Sequence, residues 1–144
     1  LRNSDPPTAS DGNEISYQKQ KDSEPEGYKE DDKIAVFFFP NNSVIPDTQA
    51  ENVINEIVKF YSENSLILVG HASSLGGDTP QGKKVNMELS FARAEAIKNM
   101  LINKGFPSEN VTVLGKGDLE TTVKTNSNNN DSDDRRVEVY LFSN

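Results

Sequence analysis

Apolar residues gather along this chain in short blocks between polar stretches, and the spacing within each block predicts an element. Ile34 to Phe39 is a continuous apolar run stopped by Pro40 and Asn41-Asn42-Ser43, which reads as a buried strand. Pro46 and Asp47 then open a helix, since proline suits the first turn and the acids Asp47 and Glu51 favour the positive end of the helix dipole. Ala50, Val53, Ile54, Ile57, Val58 and Tyr61 follow at i, i+3, i+4, i+7, i+8 and i+11, a single stripe along that helix.

Ser65 to Val69 is a second buried strand ending at Gly70-His71, and a polar, glycine-rich loop runs from Ala72 to about Lys84. A second helix is expected from about Asn86 to Asn103, ended by Gly105 at its C′ position with Pro107 beyond. Val111 to Leu114 is a third strand, closed by a Gly115-Lys116-Gly117 turn too short to cradle phosphate. After a polar loop over residues 125–133, Val137 to Phe142 alternates as the last strand. The order βαβαββ implies βαβ crossovers and a partly parallel sheet. The expected fold is therefore an α/β (α+β) two-layer sandwich, a mixed sheet with two long helices on one face. Residues 1–32 lack apolar periodicity and read as a disordered acidic linker or tail, leaving 33–144 as the domain. Should part of that tail pack on the domain, Ile15, Tyr17 and Tyr28 are its obvious anchors.

Charge sharpens this division. The 144-residue chain carries a formal net charge of -8, of which the tail holds -5, from four basic and nine acidic residues. The domain is thus only mildly anionic, and neither nucleic acid nor an anionic lipid surface is an expected partner. There is no cysteine, which excludes disulfides, a thiol nucleophile and a Cys-ligated metal. The chain opens on Leu1, without an initiator Met or a signal-like apolar segment, which reads as either a processed product or an excised piece, from which an export signal can have been removed.

The second helix holds the informative residue. Its stripe runs Leu89, Arg93, Ala96, Ile97, Met100 and Leu101, so Arg93 stands where an apolar side chain is called for. Its guanidinium either snorkels to water or pairs with an acid such as Glu88, or it points at the loop after the second strand as a bidentate carboxylate receptor. His71, the one histidine, reads as a packed, hydrogen-bonded residue at a strand end. A base for Ser73 or Ser74 is the weaker reading, because neighbours on one strand end rarely reach that geometry. One histidine without cysteine supports no metal site.

The motifs Gly70-His71-Ala72-Ser73, Asn86-x-x-Leu89-Ser90-x-x-Arg93-Ala94, Gly115-x-Gly117-Asp118 and Asp134-Arg135-Arg136-Val137-Glu138-Val139 closely resemble the OmpA-like C-terminal domain. The resemblance covers about Ile34 to Phe142 and implies a non-catalytic, cofactor-free, peptidoglycan-binding module. Such a module anchors an envelope protein to the Gram-negative wall, in the periplasm and associated with the outer membrane. It implies as ligand the diaminopimelate of the stem peptide, with Arg93 gripping a carboxylate and Asn86 holding the loop or touching ligand. In the family an aspartate accepts the ligand's ammonium; here that place holds Ser73, which supplies no charge. Asp78, in the enlarged loop before Asn86, is a candidate replacement, and Arg135 or Arg136 a second anionic contact, unless these arginines form bridges to Asp133, Asp134 or Glu138. Asp131 stands near a place where the family has arginine. The alternative is an OmpA-like interaction or structural module with weakened or lost wall binding, whose partners are envelope proteins or a second copy of the chain.

Overall fold

Four apolar segments pair into one sheet, and the two helical segments cover one of its faces. In the computed structural model, which describes residues 28–119 and 132–142, the strands are β1 (Lys33–Phe38), β2 (Ser65–Gly70), β3 (Val111–Gly115) and β4 (Arg136–Phe142). The helices are α1 (Ala50–Tyr61) and α2 (Pro80–Asn103). The tail up to residue 27, including Ile15 and Tyr17, lies outside the described residues, as does most of the polar loop, Asp131 included.

The sheet order is β1-β4-β2-β3, so the last strand inserts between the first two. β4 is antiparallel to both neighbours, with Val137 opposite Phe37 and Val139 opposite Leu68, and β2 and β3 are parallel. The mixed two-layer sandwich expected from the pattern is the fold observed. Strand alternation sends Phe37, Leu66, Leu68, Val111, Val137 and Val139 toward the helices, where they meet Ile54 and Ile57 of α1 and Ile97 and Leu101 of α2. Each such fully buried aliphatic side chain contributes about 1.5–3 kcal/mol. The other face carries the smaller cluster of Ile67, Val69, Leu114 and Tyr140.

Three boundaries differ from the pattern. α1 starts at Ala50, after Pro46 and Asp47, because the chain first makes a turn in which the Gln49 N–H donates to Asp47 Oδ1 at 3.1 Å. α2 begins six residues before Asn86, at Pro80, with Thr79 as N-cap accepting from the Gly82 N–H at 2.9 Å. Thr79-Pro80 is the N-cap and N1 signature, legible in the sequence but hidden inside a glycine-rich stretch. Residues 28–32, assigned to the tail by composition, are ordered: Tyr28 packs on Tyr140 with ring centroids 4.8 Å apart, and Glu30–Asp32 form a 3-10 turn.

Gly70 and Gly115, at the ends of β2 and β3, let α2 approach the sheet closely. A Cβ on Gly115 would stand 2.9 Å from Phe91, and one on Gly70 would stand 1.8 Å from Ser90 O. Gly105 ends α2 in the left-handed conformation, φ 103°, as expected of a C′ glycine.

Candidate functional site

The buried face of α2 changes character along its length. From Ala94 onward it buries Ala94, Ile97 and Leu101, whereas up to Arg93 it buries Asn86, Ser90 and Arg93. Those polar residues lie against three loops: the β1–α1 connection, the segment after β2 and the turn after β3. Ser90 ties the last of these, its Oγ accepting from the Gly117 N–H at 2.8 Å and donating to Met87 O at 2.7 Å. Backbone bonds from Lys116 N–H to Gly70 O and from Ala72 N–H to Gly117 O join the loops to each other.

Arg93 is 0% exposed, so it does not snorkel, and among the described residues no carboxylate pairs with it. Nε donates to Ser43 O at 2.9 Å, Nη1 to His71 O at 3.2 Å and Nη2 to Pro40 O at 3.2 Å. The guanidinium also stands 5.4 Å from the centre of the Phe39 ring. Burial, and then the charge of Arg135, push its pKa down to about 10, which leaves it charged at neutral pH. Three of five N–H donors are used, so Nη1 and Nη2 keep one each.

Above Arg93 lies a cleft of about 280 Å³. Arg93 and Arg135 are its cations, Asn41, Asn42 and Asn86 its amides and Ser73 its hydroxyl, with Leu75, Val85 and Leu89 among its apolar walls. Of the six residues singled out from the sequence, four therefore converge here: Arg93, Ser73, Asn86 and Arg135. Two do not. Asp78 is exposed and outside the lining, because it lies in the turn leading to the Thr79 cap, and no acidic residue stands among the described lining residues. Arg136 is turned to the opposite face of the sheet by strand alternation, where its Nε donates to Glu138 Oε2 at 2.8 Å and its Nη1 lies 3.6 Å from Asp134. Asn41 and Asn42 were legible only as the stop after β1. Asn42 adopts φ 56°, a left-handed conformation that asparagine tolerates.

The opposite face holds a buried charge cluster. Glu138 Oε1 accepts from the Tyr140 hydroxyl at 2.7 Å, while Oε2 faces Arg136 and, at 3.5 Å, Lys33. His71 is packed here, 1% exposed, with Nε2 standing 3.3 Å from Glu138 Oε1. As expected of a packed strand-end residue it is hydrogen-bonded, through its backbone, from His71 N–H to Arg136 O and from Arg93 Nη1 to His71 O. With its ring on this face and Ser73 in the cleft, His71 activates no serine.

Burial alone would raise the Glu138 carboxyl, but His71, Tyr140 and Arg136 around it outweigh burial and hold it well below the carboxylate range. The unfolded chain therefore binds this proton more readily than the folded one. Glu138 stabilises the fold above the ordinary glutamate value of about 4.3, and that contribution is lost as pH falls from there toward the folded value. Glu138→Gln is expected to flatten the fall in urea-unfolding stability between about pH 4 and 2; a slope equal to the parent's would contradict this.

A model of the OmpA family matches residues 37–136. The chain is 39% identical over 84 residues to an outer membrane protein of Gluconacetobacter diazotrophicus, covering 58% of the chain and 20% of that protein. It is 29% identical over 110 residues to a peptidoglycan-associated lipoprotein of Buchnera aphidicola, covering 73% of the chain and 60% of that protein. In fold it resembles the crystal structure of the peptidoglycan-associated lipoprotein from Burkholderia pseudomallei, with a TM-score of 0.65 at 16% identity, covering 75% of this chain and 90% of that one. The match thus spans less than two thirds of the length of either relative.

Proposed function

Because the chain belongs to the OmpA family, we propose that it is a non-catalytic peptidoglycan-binding domain of the bacterial envelope, acting in the periplasm and tethering a larger envelope protein to the wall. The ligand is the diaminopimelate of the stem peptide, held in the cleft above Arg93. The observation that carries this reading is a fully buried guanidinium at the base of a cleft, without a carboxylate partner among the described residues. A desolvated cation with two N–H groups left is a receptor for a carboxylate in fork geometry. Half-buried Arg135, in the same lining, meets the carboxylate alongside Arg93. The domain is expected to be retained on purified sacculi and released by free diaminopimelate; no retention would sink the proposal.

A second reading, an interaction or structural module with attenuated wall binding, is favoured by Ser73. Its Oγ already accepts from the Leu75 N–H at 3.3 Å, and a hydroxyl offers an ammonium no charge. Ser73→Asp is expected to raise sacculus affinity about tenfold, the worth of one charge-assisted hydrogen bond. Tight binding unchanged by the substitution would instead show that the ammonium has another acceptor.

A further inference from the structure

Asp118 follows the turn after β3, and its side chain is only 5% exposed. It is not among the cleft-lining residues, yet it touches one of them. Asn86 Nδ2 donates to Asp118 Oδ2 at 3.2 Å and to Leu75 O at 3.4 Å. A carboxylate and a backbone carbonyl can only accept, so the NH2 edge of Asn86 must face both. The flipped amide would set its carbonyl against the carboxylate, which is repulsive. Asn86 Oδ1 finds no donor among the described residues, and Asn86 lines the cleft. The packing holds Asp118 in place: a Cβ on Gly77 would stand 2.1 Å from its Oδ2, and Lys83 Nζ lies 3.4 Å from both oxygens.

We propose that Asp118 is a positioning residue for ligand recognition, locking the Asn86 amide so that Oδ1 is presented to the cleft as the acceptor for a ligand N–H group. The cleft is then bipolar. The Arg93 side takes a carboxylate, and the Asn86 side takes the amino end of the same molecule through a neutral oxygen that Asp118 orients from behind. This assignment rests on the peptidoglycan reading, since it names the second half of the same ligand.

The test is competition for sacculus retention by diaminopimelate and by pimelate, the same dicarboxylate chain without amino groups. In the parent protein diaminopimelate should displace at lower concentration, and the ratio of the two half-displacing concentrations measures N–H recognition. Asp118→Ala should reduce that ratio about tenfold, mainly by weakening diaminopimelate and leaving pimelate nearly unchanged. Asn86→Ala should do the same, and the double substitution should add nothing further, because Asp118 acts through Asn86. Asp118→Asn, which keeps an acceptor for Nδ2, should restore the ratio. A purely structural role for Asp118 would instead weaken both competitors equally, and that result overturns the assignment. If Asp118→Ala does not fold, Asn86→Ala decides alone: an unchanged ratio overturns it. Absence of retention in the parent protein would count against the peptidoglycan reading itself and is distinct from either result.

Discussion

Arg93→Ala is expected to abolish retention on sacculi and to lower the thermal midpoint by more than about 10 °C. The two effects share one cause. The guanidinium is fully buried and supplies donors to the carbonyls of Pro40, Ser43 and His71, which belong to the β1–α1 loop and the end of β2. Truncation takes a donor from the buried His71 O and the part-buried Ser43 O, leaves Pro40 O with the Ser43 N–H, and opens a void against Phe39, together costing about 3–5 kcal/mol. For a domain of this size each kcal/mol corresponds to roughly 4–8 °C. Loss of the cation at the cleft floor removes the carboxylate receptor as well. Arg93→Lys separates the contributions: it keeps the charge but not the fork, so it should fold better than Arg93→Ala and still bind at least about tenfold more weakly than the parent. Arg135→Ala should weaken binding less than Arg93→Ala, because Arg135 is half-buried in the cleft lining whereas Arg93 is fully buried there. Sacculus retention by Arg93→Ala equal to that of the parent would remove Arg93 from the site.

Gly70→Ala is expected to damage the fold severely without changing polarity. Its Cβ would stand 1.8 Å from Ser90 O and 2.8 Å from Ser90 C, both backbone atoms of α2, so no side-chain rotation relieves the clash. The helix must move off the end of β2. That displacement breaks the interlock through Ser90, which bonds the Gly117 N–H, and shifts Asn86 and Arg93 relative to the loops they hold. A loss of about 3 kcal/mol or more is expected in urea unfolding, at the upper end for overpacking, because main chain has to give. Gly76→Ala is the control. Gly76 has φ 77°, but a Cβ there would meet nothing within 4 Å. Only the left-handed conformation is then penalised, at about 1–2 kcal/mol. If the two substitutions cost the same, close approach of α2 is not what Gly70 provides.

Much of this was legible in the chain. The stripe from Ala50 to Tyr61, the apolar strand runs and Gly105 as helix terminator are local signals, and each reappears where its period or backbone requirement put it. Arg93 stood out by the same logic, as a charge on an apolar stripe. Where local signals were mixed, reading failed locally: Thr79-Pro80 was lost among glycines, and Asp47 served a turn before the helix instead of its first turn.

The site is a different matter. Residues adjacent in sequence need not share a face: Arg135, just before β4, enters the cleft, while the pleat of β4 turns Arg136 to Glu138 on the far side. Insertion of β4 between β1 and β2 joins the His71 N–H to Arg136 O, a pairing that no local pattern encodes. The orientation of the Asn86 amide depends on Asp118, 32 positions away, and on Leu75 O. Periodicity, capping and glycine placement act over a few residues, so the chain alone determined its elements, its two layers and its one anomalous cation. Which donors that cation keeps, and which polar groups face it across the cleft, were decided only when distant loops met on α2 between Asn86 and Arg93, because hydrogen-bond saturation and burial are properties of the assembled packing.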